Sequence, residues 1–462
     1  MAHDNSRRIL VIGGDAAGMS FASKIKREQP EWRVTVLERG NYVSYAACGI
    51  PYYVSRDVEK LENLQIVTAD QFRKKRGVDV RMGWEAISIH RDDKSVRAQH
   101  VESGEKENFQ YDTLMIATGA DPVKPPIDGL DLDGIFSVRD LNDADRIHTF
   151  IDEQKPETAA IIGGGYIGLE MAEALRSRDL QVYLIEMLPQ VLNPMDKPIT
   201  EKVMAELDRH EVRTRLNTRV KPIRGEGGTV NTIDIGENDE SLPVEMIILG
   251  TGIRPNADLA ERAGLATGEF GGITVDDHLL TDDPDIYAAG DCVEQHHLVS
   301  GKPAYVPLGP AANKHGRIAA LHLLGEPVAF PGIVGTAVMK VFDLTVSRTG
   351  LTESQAEEAG FNYFSQTVKS RERAGYYPGS GELTIHLVIE RESGRLLGAQ
   401  IAGGETAAKR IDPYAVALHN QMRIQDIALL DLSYAPPYSP VIDPVGLAAQ
   451  VASGKMNKMP GT

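Results

Sequence analysis

Two apolar runs, each followed by glycines and then by a helix-like segment, stand out in the pattern of hydrophobic and polar positions. The first is RRILVIGGDAAGMSFASKIK, residues 7–26, and the second is AAIIGGGYIGLEMAEAL, residues 159–175. Each apolar run predicts a buried strand, the glycines a tight turn, and the periodic segment a helix. A further apolar run follows each helix and ends on an acid, VTVLE at Glu38 and VYLIE at Glu186. The pattern therefore predicts two Rossmann-like units.

The glycine spacing of both turns is typical of dinucleotide-binding folds, in which backbone N–H groups at the turn bind a pyrophosphate. The second turn has the full spacing, with Gly163, Gly165 and Gly168. The first has Gly13 and Gly18, but Asp15 takes the middle position. One such turn alone could be an ordinary loop. Two copies, about one domain's length of chain apart, indicate two bound nucleotides, one held tightly and one exchanging.

The acid after the second unit bears on the choice of nucleotide. A carboxylate at the end of this strand can accept hydrogen bonds from ribose hydroxyls, and it repels a 2′-phosphate. The residues after Glu186 are Met187, Leu188 and Pro189, which include no arginine to reverse that preference. We therefore expect NADH to be preferred over NADPH.

Three later strands are predicted to end on small residues. They are TLMIATGA with Thr118 and Gly119, MIILGTGIRPN with Gly252, and DIYAAGDC with Gly290 and Asp291. Small residues at a strand end let a ligand or another backbone approach closely. An acid directly after a buried strand is costly unless its oxygens have a partner, so Asp291 is a candidate ligand-binding residue.

Composition narrows the class of protein. The chain has 462 residues, of which 42% are hydrophobic, and it can bury several cores. Two cysteines in this length argue against a disulfide framework and favour the cytoplasm. The formal charge of −17 argues against nucleic acid as the main partner. The sequence also predicts no signal peptide and no membrane-spanning segment.

One of the two cysteines lies in an unusual stretch, VSYAACGIPYY, residues 43–53. Cys48 is either a small buried hydrophobe or a reactive thiol, because a thiolate can attack a disulfide sulfur. It begins a predicted short helix, whose amide dipoles would favour the thiolate. Cys292 follows the strand that ends at Gly290, and we interpret it as a packing residue.

The ordered set of motifs resembles the FAD-dependent pyridine nucleotide-disulfide oxidoreductases. It comprises the two glycine turns, the two T-G strand ends and TDDPDIYAAGDC, residues 281–292. The resemblance implies an α/β protein with two Rossmann-like dinucleotide-binding domains, one for FAD and one for NAD, and a C-terminal α+β dimerisation domain. The implied boundaries are an FAD-binding domain in residues 1–118 and 253–326, an NAD(H)-binding domain in 119–252, a dimer-interface domain in 327–450 and a polar tail in 451–462.

Most members of that family reduce disulfides with two cysteines in a C-x-x-x-x-C pattern, which this chain lacks. Ser44 stands four residues before Cys48, and Tyr53 stands five residues after it. The chain instead resembles the single-cysteine branch, and SYAACGIPYY, RAGYYPG, KRID and YAPPYSP are most similar to coenzyme A-disulfide and NADH:persulfide reductases. The missing partner would then be the substrate's sulfur.

The resemblance assigns three sets of site residues and no metal. Ala47 departs from the pattern, since close relatives can have an asparagine there. The implied partner is a second copy of the chain, with tyrosines of one subunit acting at Cys48 of the other. The catalytic set is Cys48, Ser44, Tyr376, Tyr377, Tyr434 and Tyr438; the cofactor set is Gly13, Gly14, Ala17, Gly18, Glu38, Arg39, Thr118, Gly119, Gly290, Asp291 and Pro307 for FAD, and Gly163, Gly165, Tyr166, Ile167, Gly168, Glu186 and Gly252 for NADH; the coenzyme A set is Lys24, Arg27, Arg76 and Asn313.

Two other functions stay open at this point. An NADH oxidase or peroxidase would use a sulfenic acid at Cys48. A non-catalytic redox-sensing flavoprotein would need no exchanging nicotinamide, so the intact second glycine turn argues against it. The chain ends on the polar segment GKMNKMPGT, and we expect no rhodanese-like extension.

Overall fold

A computed structural model describes residues 6–458 of the chain. In this part of the molecule two parallel five-stranded sheets and one antiparallel five-stranded sheet form the framework. The strands, in chain order, are β1 (Arg8–Ile12), β2 (Arg33–Glu38), β3 (Asp79–Met82), β4 (Trp84–His90), β5 (Ser95–His100), β6 (Lys106–Gln110), β7 (Thr113–Ile116), β8 (Ala120–Pro122), β9 (Ile135–Ser137), β10 (Thr158–Ile162), β11 (Gln181–Ile185), β12 (Arg213–Arg215), β13 (Val220–Glu226), β14 (Thr229–Ile235), β15 (Glu240–Pro243), β16 (Met246–Leu249), β17 (Ile253–Pro255), β18 (Ile286–Ala288), β19 (Gln295–His296), β20 (Pro303–Ala304), β21 (Ala337–Val341), β22 (Leu344–Gly350), β23 (Tyr363–Arg371), β24 (Glu382–Glu390) and β25 (Leu396–Gly403).

Helices cover the sheets and connect their strands. Single helical turns also occur at Ala47–Gly49, Leu61–Leu64 and Phe72–Arg76. The α-helices are α1 (Ala16–Glu28), α2 (Ile50–Val54), α3 (Ala69–Gln71), α4 (Leu141–Gln154), α5 (Tyr166–Arg176), α6 (Lys197–Arg209), α7 (Asp258–Arg262), α8 (Gly309–Leu323), α9 (Glu353–Glu358), α10 (Ala407–His419), α11 (Ile424–Ile427) and α12 (Pro444–Met456).

The two predicted Rossmann-like units form the two parallel sheets. The first sheet has the strand order β18-β7-β1-β2-β3, and the second has β12-β11-β10-β16-β9. In both, the strand before the glycine turn lies inside the sheet and pairs with the strand that leads to the acid. These inner strands are buried on both faces, which accounts for their nearly continuous apolar sequence.

Strand β18 belongs to the first sheet although it lies far along the chain. It pairs with β7 in parallel, so the chain leaves the first unit, builds the second and then returns. The segment that leaves the first unit contains β8, and the segment that returns to it contains β17. These two connecting segments lie side by side, because β8 and β17 pair antiparallel. The first sheet is therefore built from two separated parts of the chain, while the predicted domain boundaries stay a prediction.

The C-terminal sheet is antiparallel, in the order β21-β22-β25-β24-β23. Its apolar face packs against α10 and α12 in one hydrophobic core. The predicted polar tail begins later than expected, because α12 continues to Met456 and buries Ala452 and Met456. Residues 459–462 of that predicted tail lie outside the described residues. Within the described residues, no helix is both long and apolar enough to cross a membrane.

Candidate active site

The two glycine turns share one backbone geometry. Gly13 has φ +105° and Gly163 has φ +108°, a region that favours glycine. Five residues later, a Cβ on Gly18 would collide with the carbonyl oxygen of Gly13, and a Cβ on Gly168 would collide with that of Gly163. The first glycine therefore makes the turn, and the third lets the helix pack directly on it.

The acids at the strand ends hold these turns in the same way. Glu38 Oε2 accepts a hydrogen bond from Gly14 N at 2.8 Å, and Glu186 Oε2 accepts one from Gly164 N at 2.7 Å. The other oxygen of each acid accepts from a backbone N–H two residues further on, at Gly40 and at Leu188. Each carboxylate is thus fixed beside the turn, where it retains lone pairs for a ribose hydroxyl.

The middle position of the turn explains how Asp15 is accommodated. Gly165 has φ −81°, and a Cβ there would have no atom within 4 Å. Asp15 takes the same place in the first unit, with φ −107°, directly before α1. The side chain therefore imposes no backbone strain, and the departure from the glycine pattern leaves the turn intact. Burial raises the pKa of the Asp15 carboxyl to about 6, and the nearby Glu38 and Asp291 add to that rise.

Cys48 lies at the junction of the two units. It belongs to the single turn Ala47–Gly49, which runs directly into α2. Ile50, Tyr53 and Val54 of α2 pack into the hydrophobic core of the second unit, against α4 and α5. Arg178 Nη1 donates to the carbonyl oxygen of Val54 at 2.9 Å at the end of α2. Cys48 is exposed by its surface area, although neighbouring protein atoms still surround much of the thiol.

Ser44 fixes the start of the cysteine loop. Its φ is +49°, and its N–H donates to the carbonyl oxygen of Gly14 at 2.9 Å. The Ala46 N–H donates to the carbonyl oxygen of Leu64 at 2.8 Å, so the loop is held at two points. The backbone of Ser44 thus ties the Cys48 loop to the first glycine turn.

The surroundings of Cys48 in this structure oppose the thiolate that helix dipoles are predicted to favour. Burial raises the pKa of the Cys48 thiol, and the carboxyl groups of Glu170, Asp291 and Asp15 raise it further. Burial and these carboxyl groups thus act against the thiolate in the chain by itself, and the thiolate character of Cys48 stays a prediction.

Glu170 is a member of this site that sequence reasoning missed. It lies on α5, one turn after Tyr166, and burial raises its pKa to about 7, with Glu173 adding to the rise. An acid among the apolar residues of GYIGLEMAEAL is the signal that could have identified it. Tyr166 and Ile167 begin the same helix, beside the second glycine turn.

The two T-G strand ends lie directly before β8 and β17, the paired strands that connect the two units. Thr118 Oγ1 donates to the carbonyl oxygen of Asn256 at 2.6 Å, and Asn256 Nδ2 donates back to that of Thr118 at 3.1 Å. Gly119 and Gly252 have positive φ, and a Cβ on either would have no atom within 4 Å. Both glycines thus border open space.

Asp291 follows β18 at the carboxyl end of the first sheet, as predicted. Burial raises the pKa of its carboxyl. Its backbone oxygen accepts a hydrogen bond from the Tyr305 hydroxyl at 2.9 Å, which brings the loop before α8 and Pro307 to this sheet edge. Cys292 is fully buried, in agreement with its interpretation as a packing residue.

The residues predicted to bind coenzyme A come together around α1. Arg76 Nη1 donates to Ser23 Oγ at 2.9 Å, and Ser20 Oγ donates to Asn313 Oδ1 at 2.7 Å. Lys24 pairs with Glu28, and Arg27 is exposed one turn later on the same helix. The contributions of α1, α8 and the turn Phe72–Arg76 therefore meet on one exposed basic surface.

The four predicted tyrosines lie on one exposed surface of the C-terminal region. Tyr376 and Tyr438 expose 77% and 74% of their area. A hydrogen bond with Tyr376 raises the pKa of Tyr434. Tyr377 continues the same loop, where its N–H donates to the carbonyl oxygen of Ala374 at 2.8 Å.

Arg410 joins the two tyrosine segments and was not among the predicted site residues. Its Nη2 donates to the carbonyl oxygens of Glu372 at 3.0 Å and Tyr438 at 2.8 Å. The KRID segment that contains it thus holds RAGYYPG next to YAPPYSP. The sequence shows Arg410 within a motif, but the residues that accept its hydrogen bonds are distant along the chain.

Comparison with known proteins places the chain in a family. The family model described as pyridine nucleotide-disulphide oxidoreductase matches residues 7–316, and its dimerisation domain matches residues 336–444. The NAD(P)H coenzyme A polysulfide/persulfide reductase of Pyrococcus horikoshii is 38% identical over 453 residues, which cover 98% of this chain and 99% of that protein.

Two solved structures are similar over nearly the whole chain. The structure of a NAD-dependent persulfide reductase from A. fulgidus has a TM-score of 0.94 and 41% identity, covering 97% of this chain and 83% of that one. The structure of reduced Bacillus anthracis CoADR-RHD has a TM-score of 0.95 and 36% identity, covering 98% of this chain and 81% of that one. The fold and the resemblance found in the sequence are therefore confirmed, and the chain belongs to the pyridine nucleotide-disulphide oxidoreductase family.

Proposed function

We propose that this protein transfers electrons from NADH through FAD to Cys48, and that Cys48 reduces coenzyme A disulfide or coenzyme A persulfide. The observation that carries the proposal is the placement of a single exposed thiol at the junction of two nucleotide folds, beside the first glycine turn. The names of the relatives from Pyrococcus horikoshii and A. fulgidus support persulfide as a substrate class, and that of the Bacillus anthracis structure supports coenzyme A disulfide.

Family membership implies FAD and NAD(P)H, and the chain has a suitable place for each. A Cβ on Gly13 or Gly18 would collide with backbone, so the two glycines hold the start of α1 against the end of β1, and the N–H groups at this helix start are proposed to bind the FAD pyrophosphate. The FAD set is assigned to this turn, to Glu38 and to the sheet edge at Asp291. FAD bound there supplies a carrier of two electrons between nicotinamide and sulfur.

The preference for NADH rests on the surroundings of Glu186. Its two oxygens are fixed by backbone N–H groups, so the carboxylate cannot turn away from a 2′-phosphate. The next residue, Met187, is exposed and brings no positive charge. A bound NADPH would therefore place its phosphate beside an uncompensated carboxylate.

The sulfur chemistry follows from one cysteine. The Cys48 thiolate attacks one sulfur of coenzyme A disulfide, the S–S bond breaks, and one coenzyme A leaves as a thiolate. Cys48 is then joined to the second coenzyme A in a mixed disulfide. Two electrons from NADH break that bond, restore the Cys48 thiolate and release the second coenzyme A thiolate, and each leaving thiolate takes up a proton. A persulfide reacts in the same way, with one product released as hydrosulfide.

The tyrosines are proposed to protonate the leaving thiolate from the partner subunit. The exposed surface that carries Tyr376, Tyr377, Tyr434 and Tyr438 lies within the segment matched by the dimerisation model. Leu429, Val441 and Ile442 expose further apolar area in the same segment. A second copy of the chain would cover this apolar area, and we therefore propose a homodimer.

The basic surface around α1 is proposed to bind the phosphates of coenzyme A. Lys24, Arg27 and Arg76 are grouped there on a chain whose overall formal charge is −17. Local cations in an acidic protein favour a phosphate-bearing ligand at that place. Asn313 would add a polar contact from α8.

An acceptor profile tests the proposal. NADH oxidation is measured with coenzyme A disulfide, coenzyme A persulfide, hydrogen peroxide and oxygen, for the wild type and for Cys48→Ser, with Cys292→Ser as the matched control. We expect a sulfur acceptor to be turned over fastest, the Cys48→Ser rate to fall at least 100-fold, and the Cys292→Ser rate to stay within about twofold. A fastest rate with peroxide or oxygen would favour the oxidase alternative through a Cys48 sulfenic acid.

A separate experiment tests whether the tyrosines of one subunit act at Cys48 of the other subunit. Cys48→Ser chains are mixed with Tyr377→Phe/Tyr438→Phe chains, and hybrid dimers are isolated by two different affinity tags. If the tyrosines act across the dimer, one of the two sites in each hybrid is intact, and about half of the wild-type activity returns. Hybrids as inactive as the parent variants would place the tyrosines in the same subunit as their cysteine or outside the reaction.

A further inference from the structure

A row of polar side chains crosses the C-terminal sheet on the face opposite its hydrophobic core. Strand register places Thr367, His386, Gln400 and Arg348 next to each other on β23, β24, β25 and β22. Their neighbours along the strands, such as Ile385 and Ile401, belong to the core on the other face. His386, Gln400 and Arg348 are nevertheless buried. Another part of the molecule must therefore cover this row.

The covering element is the segment that leads into α6 of the second nucleotide unit. Arg348 Nη1 donates to the carbonyl oxygen of Pro194 at 2.7 Å, and Gln400 Oε1 accepts from Asp196 N at 2.8 Å. Gln400 Nε2 also donates to the Asp196 carboxylate. The row therefore attaches the start of α6 to the C-terminal sheet.

His386 has one ring nitrogen without a hydrogen-bond partner in this buried place. The side chain is 2% exposed, and its Nδ1 lies 2.9 Å from Thr367 Oγ1. Its Nε2 makes no hydrogen bond, although Glu353 Oε1 is 3.0 Å away and Asp196 Oδ2 is 3.5 Å away. Both oxygens are close to the nitrogen but are not aligned to accept a proton from it. A cation at Nε2 requires the tautomer in which Nδ1–H donates to Thr367 Oγ1, and the Nε2 lone pair then faces the space beside the two carboxylates.

These spacings fit atoms that share one cation. Zinc binds imidazole nitrogen and carboxylate oxygen at about 2.0–2.2 Å, so two such ligands at tetrahedral or octahedral angles stand about 3.0–3.5 Å apart. The nitrogen-to-oxygen distances of 3.0 and 3.5 Å lie in that range. One ligand atom from each of the three residues lies within 4.8 Å of the other two.

The nearby guanidinium does not neutralise the two carboxylates by hydrogen bonds. Arg348 directs its hydrogen bonds to the carbonyl oxygens of Pro194 and Gly350 and to Gln355 Oε1. Asp196 accepts from the backbone N–H of Glu353 and from Gln400, which are neutral donors. Two carboxylates beside the unpartnered Nε2 in a mostly buried place favour a bound cation.

We propose that Asp196, Glu353 and His386 form a binding site for a divalent transition-metal cation of the zinc type. Mixed nitrogen and oxygen ligands suit such a cation better than magnesium, which favours oxygen alone. The Glu353 side chain is 37% exposed and gives the cation a route from solvent. The bound cation would join α6 of the second nucleotide unit to α9 and β24, and it is separate from the reduction at Cys48.

The same residue types form a second group, Glu206, His210 and Asp343. It differs from the proposed site because its carboxylates already have a cationic partner. Arg209 Nη2 lies 2.6 Å from Glu206 Oε1 and 2.7 Å from Asp343 Oδ2. A guanidinium thus already neutralises both carboxylates, and His210 stacks on Phe342. This group provides the matched control for the proposed site.

The test uses tag-free, FAD-loaded protein with Cys48→Ser, so that the exposed thiol cannot bind zinc. After treatment with a chelator and dialysis, ZnCl₂ is titrated by calorimetry and the bound metal is measured by mass spectrometry. We expect one zinc per chain and a higher melting temperature with zinc. Glu353→Gln should lower the zinc affinity at least tenfold while keeping the metal-free melting temperature, and His210→Gln should change neither.

Three results would overturn the proposal. They are the absence of zinc binding at 1:1 stoichiometry, an unchanged affinity in Glu353→Gln, and equal binding of MgCl₂, which would indicate ordinary association with acidic groups. Glu353 is the residue to replace because it is partly exposed and lies at the first position of α9, whereas removal of His386 would leave a gap in the sheet.

Discussion

The two nucleotide units have nearly the same turn but differ in the segment that follows it. In each, the residue after the first turn glycine accepts a backbone hydrogen bond from a residue with positive φ, Ser44 in the first unit and Leu192 in the second. Four residues beyond these lie Cys48 and Asp196, respectively. One backbone framework thus presents a thiol toward the junction of the units in one copy and a carboxylate toward the C-terminal sheet in the other.

The difference shows which parts of the duplicated unit are free to vary. The first and third glycines and the strand-end acid recur because the backbone contacts require them. The middle position holds Asp15 in one unit and Gly165 in the other, since its φ is negative in both. Positions without a steric requirement are therefore where the two units acquired different chemistry.

The largest expected effect is on the free energy of unfolding, and it concerns two glycines of the second turn. Replacing either glycine by alanine adds one methyl group. Gly168→Ala should lower the free energy of unfolding by about 1–3 kcal/mol, because the Cβ collides with the Gly163 carbonyl. Gly165→Ala should leave it within about 0.5 kcal/mol, because its Cβ meets no atom. Urea denaturation measures both.

The same two variants, Gly165→Ala and Gly168→Ala, distinguish an effect on folding from an effect on nucleotide binding. Gly165→Ala should raise KM for NADH about tenfold or more, since its methyl group would lie where the turn faces a pyrophosphate, while the FAD content stays at the wild-type value. A stable Gly168→Ala, or a Gly165→Ala enzyme with unchanged KM, would contradict the distinction between the two positions.

A smaller effect should follow from the residue after each strand-end acid. In the first unit this residue is Arg39, which pairs with Asp121 at 3.0 Å, and in the second it is the exposed Met187. Met187→Arg should shift the ratio of kcat/KM for NADPH and NADH at least fivefold toward NADPH, equivalent to about 1 kcal/mol. Met187→Gln, which adds no charge, is the control. A wild type that uses NADPH as well as NADH would refute the role given to Glu186.

The smallest effect concerns the acidic surroundings of Cys48. Glu170 has a pKa of about 7, so it is charged above that pH and then raises the pKa of the Cys48 thiol. Glu170→Gln should therefore speed alkylation of Cys48 by iodoacetamide above pH 7, and the difference should vanish below it, where Glu170 is protonated. The exposed Glu211→Gln is the control. If Glu170→Gln changed the alkylation rate of Cys48 equally at pH 6 and pH 9, the change would result from packing and not from the charge of Glu170.

The sequence was sufficient for the features that depend on local pattern. The glycine turns and the strand-end acids follow from spacing within about 30 residues, and Cys48 is singled out by its neighbours, whereas the sheets also include strands such as β18 that lie far along the chain. The features that were missed depend on distant residues. Glu170 approaches Cys48 through the packing of α2 on α5, and Arg410 joins two segments that are remote in sequence. The prediction of a Cys48 thiolate has the same limit, because it considers the local helix and not the carboxylates of other elements.

The most direct test of the central claim is the covalent state of Cys48 after exposure to the proposed substrate. The protein is incubated with coenzyme A disulfide without NADH, digested without reductant, and its peptides are weighed by mass spectrometry. The account predicts one coenzyme A per chain, on the peptide that contains Cys48, and its release when NADH is added. An unmodified Cys48, a coenzyme A found on Cys292, or an adduct that NADH does not remove would contradict the claim that the substrate's sulfur replaces the missing cysteine.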